Sequence, residues 1–384
     1  MRFADSETQK LLRDTARSYL AEHFSWERLY EVHHGEGGLS GEELAGFAEL
    51  GWFGLLVPEP AGGGATLLDA AVVIEEFGYA AVPAPVAAAN VAAALLSAAP
   101  RSAGDGNAID GHLAGIARGR PLYTFSDAVR RRGSAAVNLR GGSSGDKTAL
   151  ASTGGTLSGT LPLLPFANIS EFVLAPLAVE GEPAFAAVAL AGARLEEVEV
   201  LDRRGYANAH FGQAPFDNDA VLATGAGALE LHERLDALVT ALSLIELVGM
   251  MQRILEMTTE YVTTRVQFGK PIGTFQAVRH RAAELLMQTD TTRWAAYHAL
   301  WRLQQDPTDS EEIWLAKHWA IGAANRVYQI AHLLHGGVGV GTEYPLHLFT
   351  QSLVAFAVRG GPMDEMVDRT VETMKRRQTA EARR

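Results

Sequence analysis

Between Arg265 and Arg281 the chain reads RVQFGKPIGTFQAVRHR, and its residue types suit recognition of an anionic, planar ligand such as a nucleotide. A guanidinium offers a flat fork of donors, the free N–H groups at a helix start favour negative charge, and an aromatic face can lie against a ring. Arg265 would supply the fork, Phe268 the aromatic face, and Gln276 a further donor in the first turns of the following helix. An ordinary interhelical turn with a surface arginine has the same composition, and local chemistry by itself favours that simpler reading. A second stretch, HLLHGGVGVGTEYPLHLF from His332 to Phe349, puts Gly336, Gly337, Gly339 and Gly341 in a loop after a helix. Glycines at this density let a backbone come close to a phosphate or another chain. It is not a Rossmann fingerprint, which must follow a strand and open a helix, and taken alone it fits a plain helix-ending loop.

A third feature is the interruption Arg359-Gly360-Gly361-Pro362 inside helical text running from Leu348 to Arg369. One glycine suffices to end a helix, so two glycines with an arginine at their lip ask for a further reason. The histidines His280, His298, His318, His332, His335 and His347 form no recognised helical metal pair with a carboxylate, and no metal is expected. The chain also lacks a G-x-S-x-G nucleophile elbow and a Walker loop.

These residues sit in a chain of 384 residues, 47% hydrophobic and 20% charged, an ordinary globular composition. The formal charge of −12 argues against nucleic-acid binding, which needs a basic face. With no cysteine, disulfides, thiolate nucleophiles and cysteine metal sites are excluded together. The opening MRFADSETQK has no apolar segment of the secretory kind, so a cytoplasmic location is expected. The uncharged run from Phe77 to Pro100 is about a membrane thickness in residues, but it is mostly alanine and holds Pro83 and Pro85. It reads as packed helix ends around an X-Pro turn.

The elements that would position the candidate residues follow from spacing. SETQKLLRDTARSYLAEHF opens with a capping box, Ser6 with Gln9, and sets Leu11, Leu12, Ala16, Tyr19 and Leu20 on one helical face. Helical text continues behind Ser40 as a cap and again through TLLDAAVVIEEFGYAAV. From about Leu122 to Ala223, EFVLAPLA, AFAAVALA and LEEVEVL are short runs bounded by turn residues and predict a β unit. Beyond Gly225 long helices return: Leu229 to Arg265 holds no proline and one glycine, Gly249, and two further helical stretches follow. Long helices at short spacing pack as antiparallel neighbours.

In their order and separation, LGWFGLLVPEPAGGGATLLDAAVVIEEFGYAAVPAP, LSGTLPLLPFANISEFVLAPLA, RVQFGKPIGTFQAVRHRAAEL and LLHGGVGVGTEYPLHLF resemble the acyl-CoA dehydrogenase family over nearly the whole chain. The resemblance implies an α+β fold: an N-terminal α-helical domain (1–120), a middle β-barrel or β-sandwich domain (121–225) and a C-terminal four-helix bundle (226–384). It also implies FAD, an acyl-CoA substrate, and an electron-transfer flavoprotein or similar acceptor. In such enzymes a carboxylate removes the α proton while the β hydrogen leaves as hydride to flavin N5. The flavin crosses a subunit interface, so Arg265 would pair with a neighbour's pyrophosphate, Phe268 and Ile272 would pack on the cofactor, and Gln276 would hydrogen-bond it. Gly336, Gly337 and Gly339 would give its phosphates room.

Several family features are missing. The family's base falls on Arg359, and its alternative position falls on Val239; neither side chain can accept a proton. Glu246, Asp364 and Glu365 are the nearby carboxylates that a different geometry would have to recruit. The flavin-ring turn of the β domain is replaced by YTFSDA, with Thr124 and Ser126 as weak substitutes, and a usual glutamine is Leu333. What remains is what a member donates to its neighbour, as in the non-catalytic subunit of an α2β2 actinobacterial sterol side-chain enzyme acting on a bulky, steroid-derived acyl-CoA. The alternative is a homo-oligomeric flavoprotein of altered chemistry in which Arg359 binds an anionic substrate group. No nucleic acid, membrane or metal is expected as a partner.

Overall fold

The computed structural model describes residues 4–35, 38–100, 106–125, 150–359, 361 and 363–381. Six helices come first: α1 (Glu7–His23), α2 (Trp26–His34), α3 (Gly41–Glu49), α4 (Leu67–Ala80), α5 (Val86–Ala98) and α6 (Gly106–Ala117). The strands follow as β1 (Tyr123–Phe125), β2 (Ala151–Thr153), β3 (Thr156–Leu164), β4 (Phe172–Val179), β5 (Glu182–Ala189), β6 (Arg194–Val198), β7 (Tyr206–Pro215) and β8 (Val221–Thr224). Then come α7 (Gly225–Thr264), a short hairpin of β9 (Val266–Gln267) and β10 (Lys270–Pro271), α8 (Gln276–Gln305), α9 (Glu311–His335), α10 (Leu346–Arg359) and α11 (Met363–Glu381). The order of helices, strands and helices is the one read from the sequence.

Packing divides the chain into two compact units that cut across its linear segments. One comprises Met1–Glu36, Leu67–Pro83 and Thr240–Arg384. In it α1 begins with the reciprocal capping box of Ser6 and Gln9 and buries Ala16 and Leu20. Leu11, expected on that face, is 69% exposed. The place near α4 is taken by Arg13, because α4 presents the buried carboxylates Glu75 and Glu76, and Arg13 reaches both, at 3.3 and 2.9 Å. Where α4 crosses α7 the backbones touch: a Cβ on Gly78 would lie 2.0 Å from the Glu246 carbonyl oxygen, and one on Gly249 would lie 2.0 Å from that of Glu75. α7 is long and apolar enough to cross a bilayer, but 83% of its most apolar window is buried in protein, as in a core helix.

The other unit comprises Gly37–Thr66 and Ala84–Val239. Its strands make one mixed sheet in the order β6-β7-β3-β2-β4-β5-β8, with β1 parallel to β4. Side chains from one face of the strands, among them Leu157, Leu161, Val173, Ala175 and Phe211, close its core. Asn90, buried on α5, donates to the carbonyls of Trp52 and Val86 at 2.8 and 2.9 Å and accepts from the Leu56 N–H at 3.0 Å. A loop and a helix are thereby tied, with the buried amide satisfied on both its nitrogen and its oxygen.

Candidate functional site

Arg265 follows directly on α7, its N–H donating to the Tyr261 carbonyl at 2.9 Å. The chain then turns back as a hairpin in which Gln267 opposes Lys270 and Val266 opposes Pro271. The two turn residues, Phe268 and Gly269, have φ of +55° and +80°, which is the tight turn that matches the twist of a two-residue hairpin. A phenylalanine is strained there, and its side chain is 92% exposed. Lys270 sits over the Phe275 ring at 4.6 Å, and the Ile272 N–H closes onto the Arg265 carbonyl at 2.9 Å. α8 starts at Gln276 with no side chain capping it, so its first N–H groups are available to an anion. Arg265, Phe268 and Gln276 are all exposed and Ile272 is half-buried.

The glycine segment lies at the same end of the bundle. Gly336, at φ +60°, ends α9; Gly336 and Gly337 are exposed, and Gly339 is buried. A Cβ on Gly339 would come within 2.8 Å of the His335 Cβ and 3.2 Å of Leu346, so this position excludes a side chain, whereas Gly337 has open space around it. His335 joins the segment to the hairpin. Its ring stacks on Tyr261, centroids 4.6 Å apart at 26°. Because a carbonyl only accepts, the 2.8 Å contact to Ala331 fixes the proton on Nδ1, and Nε2 accepts from the Tyr344 hydroxyl at 3.3 Å. Burial holds the His335 imidazolium below its ordinary range.

Other positions named from the sequence fall elsewhere. Arg359 is the last residue of α10 and half-buried; Gly361 follows at φ +83°, while Gly360 and Pro362 lie outside the described residues. Val239 is buried. Glu365 is buried and accepts from Arg369 Nε at 3.3 Å, Asp364 is exposed, and Glu246 is buried. Thr124 is not available to a ligand, since its buried hydroxyl donates to the Pro165 carbonyl at 2.5 Å; Ser126 lies outside the described residues.

Sequence reasoning missed a buried ionic cluster beside a cavity of about 510 Å³ lined by Arg13, Glu75, Arg293 and Tyr297. Glu75 pairs with Arg293 at 2.5 Å and accepts from the Tyr297 hydroxyl at 2.5 Å. Burial, and then the field of Glu75, push Tyr297 well above its ordinary value, so it remains a donor. The available signal was the pair Glu75-Glu76 directly after the apolar run Ala70 to Ile74 of a helix.

The family model described as "Acyl-CoA dehydrogenase, N-terminal domain" matches residues 6–120, and "Acyl-CoA dehydrogenase, C-terminal domain" matches residues 239–375. Acyl-CoA dehydrogenase FadE28 of Mycobacterium tuberculosis is 27% identical over 367 residues, 94% of this chain and 96% of that protein. Among solved structures, the ChsE4-ChsE5 complex from Mycobacterium tuberculosis contains a chain with a TM-score of 0.84 at 22% identity, covering 98% of this chain and 99% of that one. A variant of the Tcur3481-Tcur3483 steroid ACAD gives 0.83 at 24% identity, covering 97% and 99%.

Proposed function

The chain belongs to the acyl-CoA dehydrogenase family, and from that premise we propose that it is a non-catalytic subunit that completes the FAD site of a paralogous partner in an α2β2 enzyme. The joint enzyme would dehydrogenate a bulky, steroid-derived acyl-CoA in the cytoplasm. The observation that carries the proposal is Arg359 at the end of α10, the residue onto which the sequence resemblance lays the family's carboxylate. The two heteromeric neighbours, ChsE4-ChsE5 and the steroid enzyme Tcur3481-Tcur3483, support the assembly and the substrate class.

The residues present fit half of a flavin dinucleotide site. Phe268 stands exposed on a strained turn, and Gly336 and Gly337 are exposed with open space where a Cβ would stand. Arg265 would pair with the pyrophosphate, Phe268 and Ile272 would pack on the cofactor, Gln276 would donate to it, and Gly336 and Gly337 would admit its phosphates, while Gly339, expected to do the same, is packed against His335 and Leu346 and would instead shape the segment. Bound FAD supplies the hydride acceptor for oxidation of the Cα–Cβ bond. This chain's part is to bind and orient, because a guanidinium at position 359 cannot remove the α proton.

The test is purification of the chain alone and with a paralogue carrying the glutamate, followed by a flavin count and an acyl-CoA dehydrogenation assay. The complex should hold one FAD per two chains and turn over, and the lone chain should be flavin-poor and inactive. Full activity of the lone chain would refute the proposal, and a flavin-loaded homo-oligomer inert toward ordinary acyl-CoA would instead favour Arg359 as an anchor for an anionic substrate group.

A further inference from the structure

We infer that His335 is a positioning residue: held between the Ala331 carbonyl and the Tyr344 hydroxyl and stacked on Tyr261, it locks the hairpin bearing Arg265 and Phe268 to the glycine segment and so governs flavin retention. This rests on the proposal that both segments hold flavin.

The geometry asks for more than an aromatic filler. Tyr261 lies one helical turn before Arg265 and is bonded to it through the backbone, so a ring fixed on Tyr261 fixes where the hairpin starts. The histidine immediately precedes Gly336, and its Cβ occupies the space that a side chain on Gly339 would need. Tyr344 completes the arrangement, its ring 5.1 Å from His335 and 6.4 Å from Tyr261. At 2% exposure, His335 uses both ring nitrogens within the protein, one as donor and one as acceptor. A phenylalanine would fill the space but leave the Tyr344 hydroxyl without this acceptor.

Protonation would turn Nε2 into a donor, so that the Tyr344 hydroxyl has to rotate and accept, and would place a charge in a buried site between the two segments. Burial lowers the folded-state value, which sets the sign. The clamp is intact above the ordinary histidine value of 6.5 and is lost as pH falls below it, through the lowered folded-state value. The titratable groups that meet His335 are Tyr261 on α7, His332 one turn earlier on α9, and Tyr344 in the following loop, which itself feels Glu260 and Arg253 on α7. His332 is the competing source of an acid response, since it too is lowered by burial and by His335.

The experiment uses the flavin-loaded oligomer and follows FAD fluorescence released between about pH 7.5 and about pH 5.5, together with hydrogen exchange at the Lys270 and Ile272 amides. The wild type should shed FAD in acid. His335→Gln should retain FAD within about threefold of wild type at neutral pH and lose the acid response, while His335→Ala should weaken retention about tenfold or more at every pH and speed hairpin exchange. His332→Gln should leave the acid response in place. A wild-type acid profile in His335→Gln, or its disappearance in His332→Gln alone, would overturn the inference. So would unchanged hairpin exchange in His335→Ala; if that variant does not fold, the glutamine variant decides. Arg265→Ala separates the two levels: unaltered FAD retention there would sink the flavin proposal, while hairpin exchange would still judge the clamp.

Discussion

Phe268 combines two unfavourable properties, a left-handed backbone that the turn would obtain without strain from a glycine and almost complete exposure, its ring meeting Phe275 edge-on at 6.1 Å. Replacing it with glycine should therefore separate stability from function. Phe268→Gly is expected to raise folding stability by about 1 kcal/mol, read as a higher Tm, and to lower FAD retention in the complex. A loss of stability with unchanged flavin content would show that the ring belongs to this chain's own packing. Arg265 gives a complementary test. Arg265→Ala should weaken FAD binding about tenfold or more, and Arg265→Lys should recover only part of it, because an ammonium lacks the planar fork. The residue types of this site were legible in RVQFG. The turn was not, since Phe-Gly is not among the usual pairs for a two-residue hairpin, and its geometry comes from Gly269 and the short ladder around it.

Among the elements, α4 and α7 are held by a contact that no periodicity could announce. Gly249 stood out as the single glycine of a long helical stretch, but its reason is Glu75 on a helix far away in sequence, whose carbonyl occupies the space of a Cβ. Gly249→Ala and Gly78→Ala should each destabilise the chain by about 3 kcal/mol, visible as a lowered Tm or as insoluble protein, because backbone rather than a flexible side chain must yield. A Tm indistinguishable from wild type would contradict the crossing. The α1 capping box was readable because it is local, with Ser6 and Gln9 three residues apart. Leu11 misled because helical spacing defines a stripe without saying which edge of it a buried carboxylate will claim for Arg13.

At the scale of the molecule, the order of elements and the family were legible because they depend on patterns spread over the whole chain, whereas the join through Tyr261, His335 and Tyr344 depends on tertiary contact. The first unit also leaves large apolar side chains in water: Leu315, Trp319 and Leu333 on α9, and Met363, Val367 and Val371 on α11, are all exposed. The lone chain should consequently self-associate in sedimentation velocity, and co-expression with the proposed paralogous subunit should suppress this; a monodisperse lone monomer would count against an obligate subunit. The glycine crossing has a mechanical consequence. With no side chain between the helices, Gly249 acts as a fulcrum, and the stretch of α7 from there to Thr264 forms a lever about 22 Å long at the ordinary helical rise. A tilt of about 5° at the fulcrum swings its far end by about 2 Å, so a methyl group placed at Gly249 would misaim Arg265 without going near it.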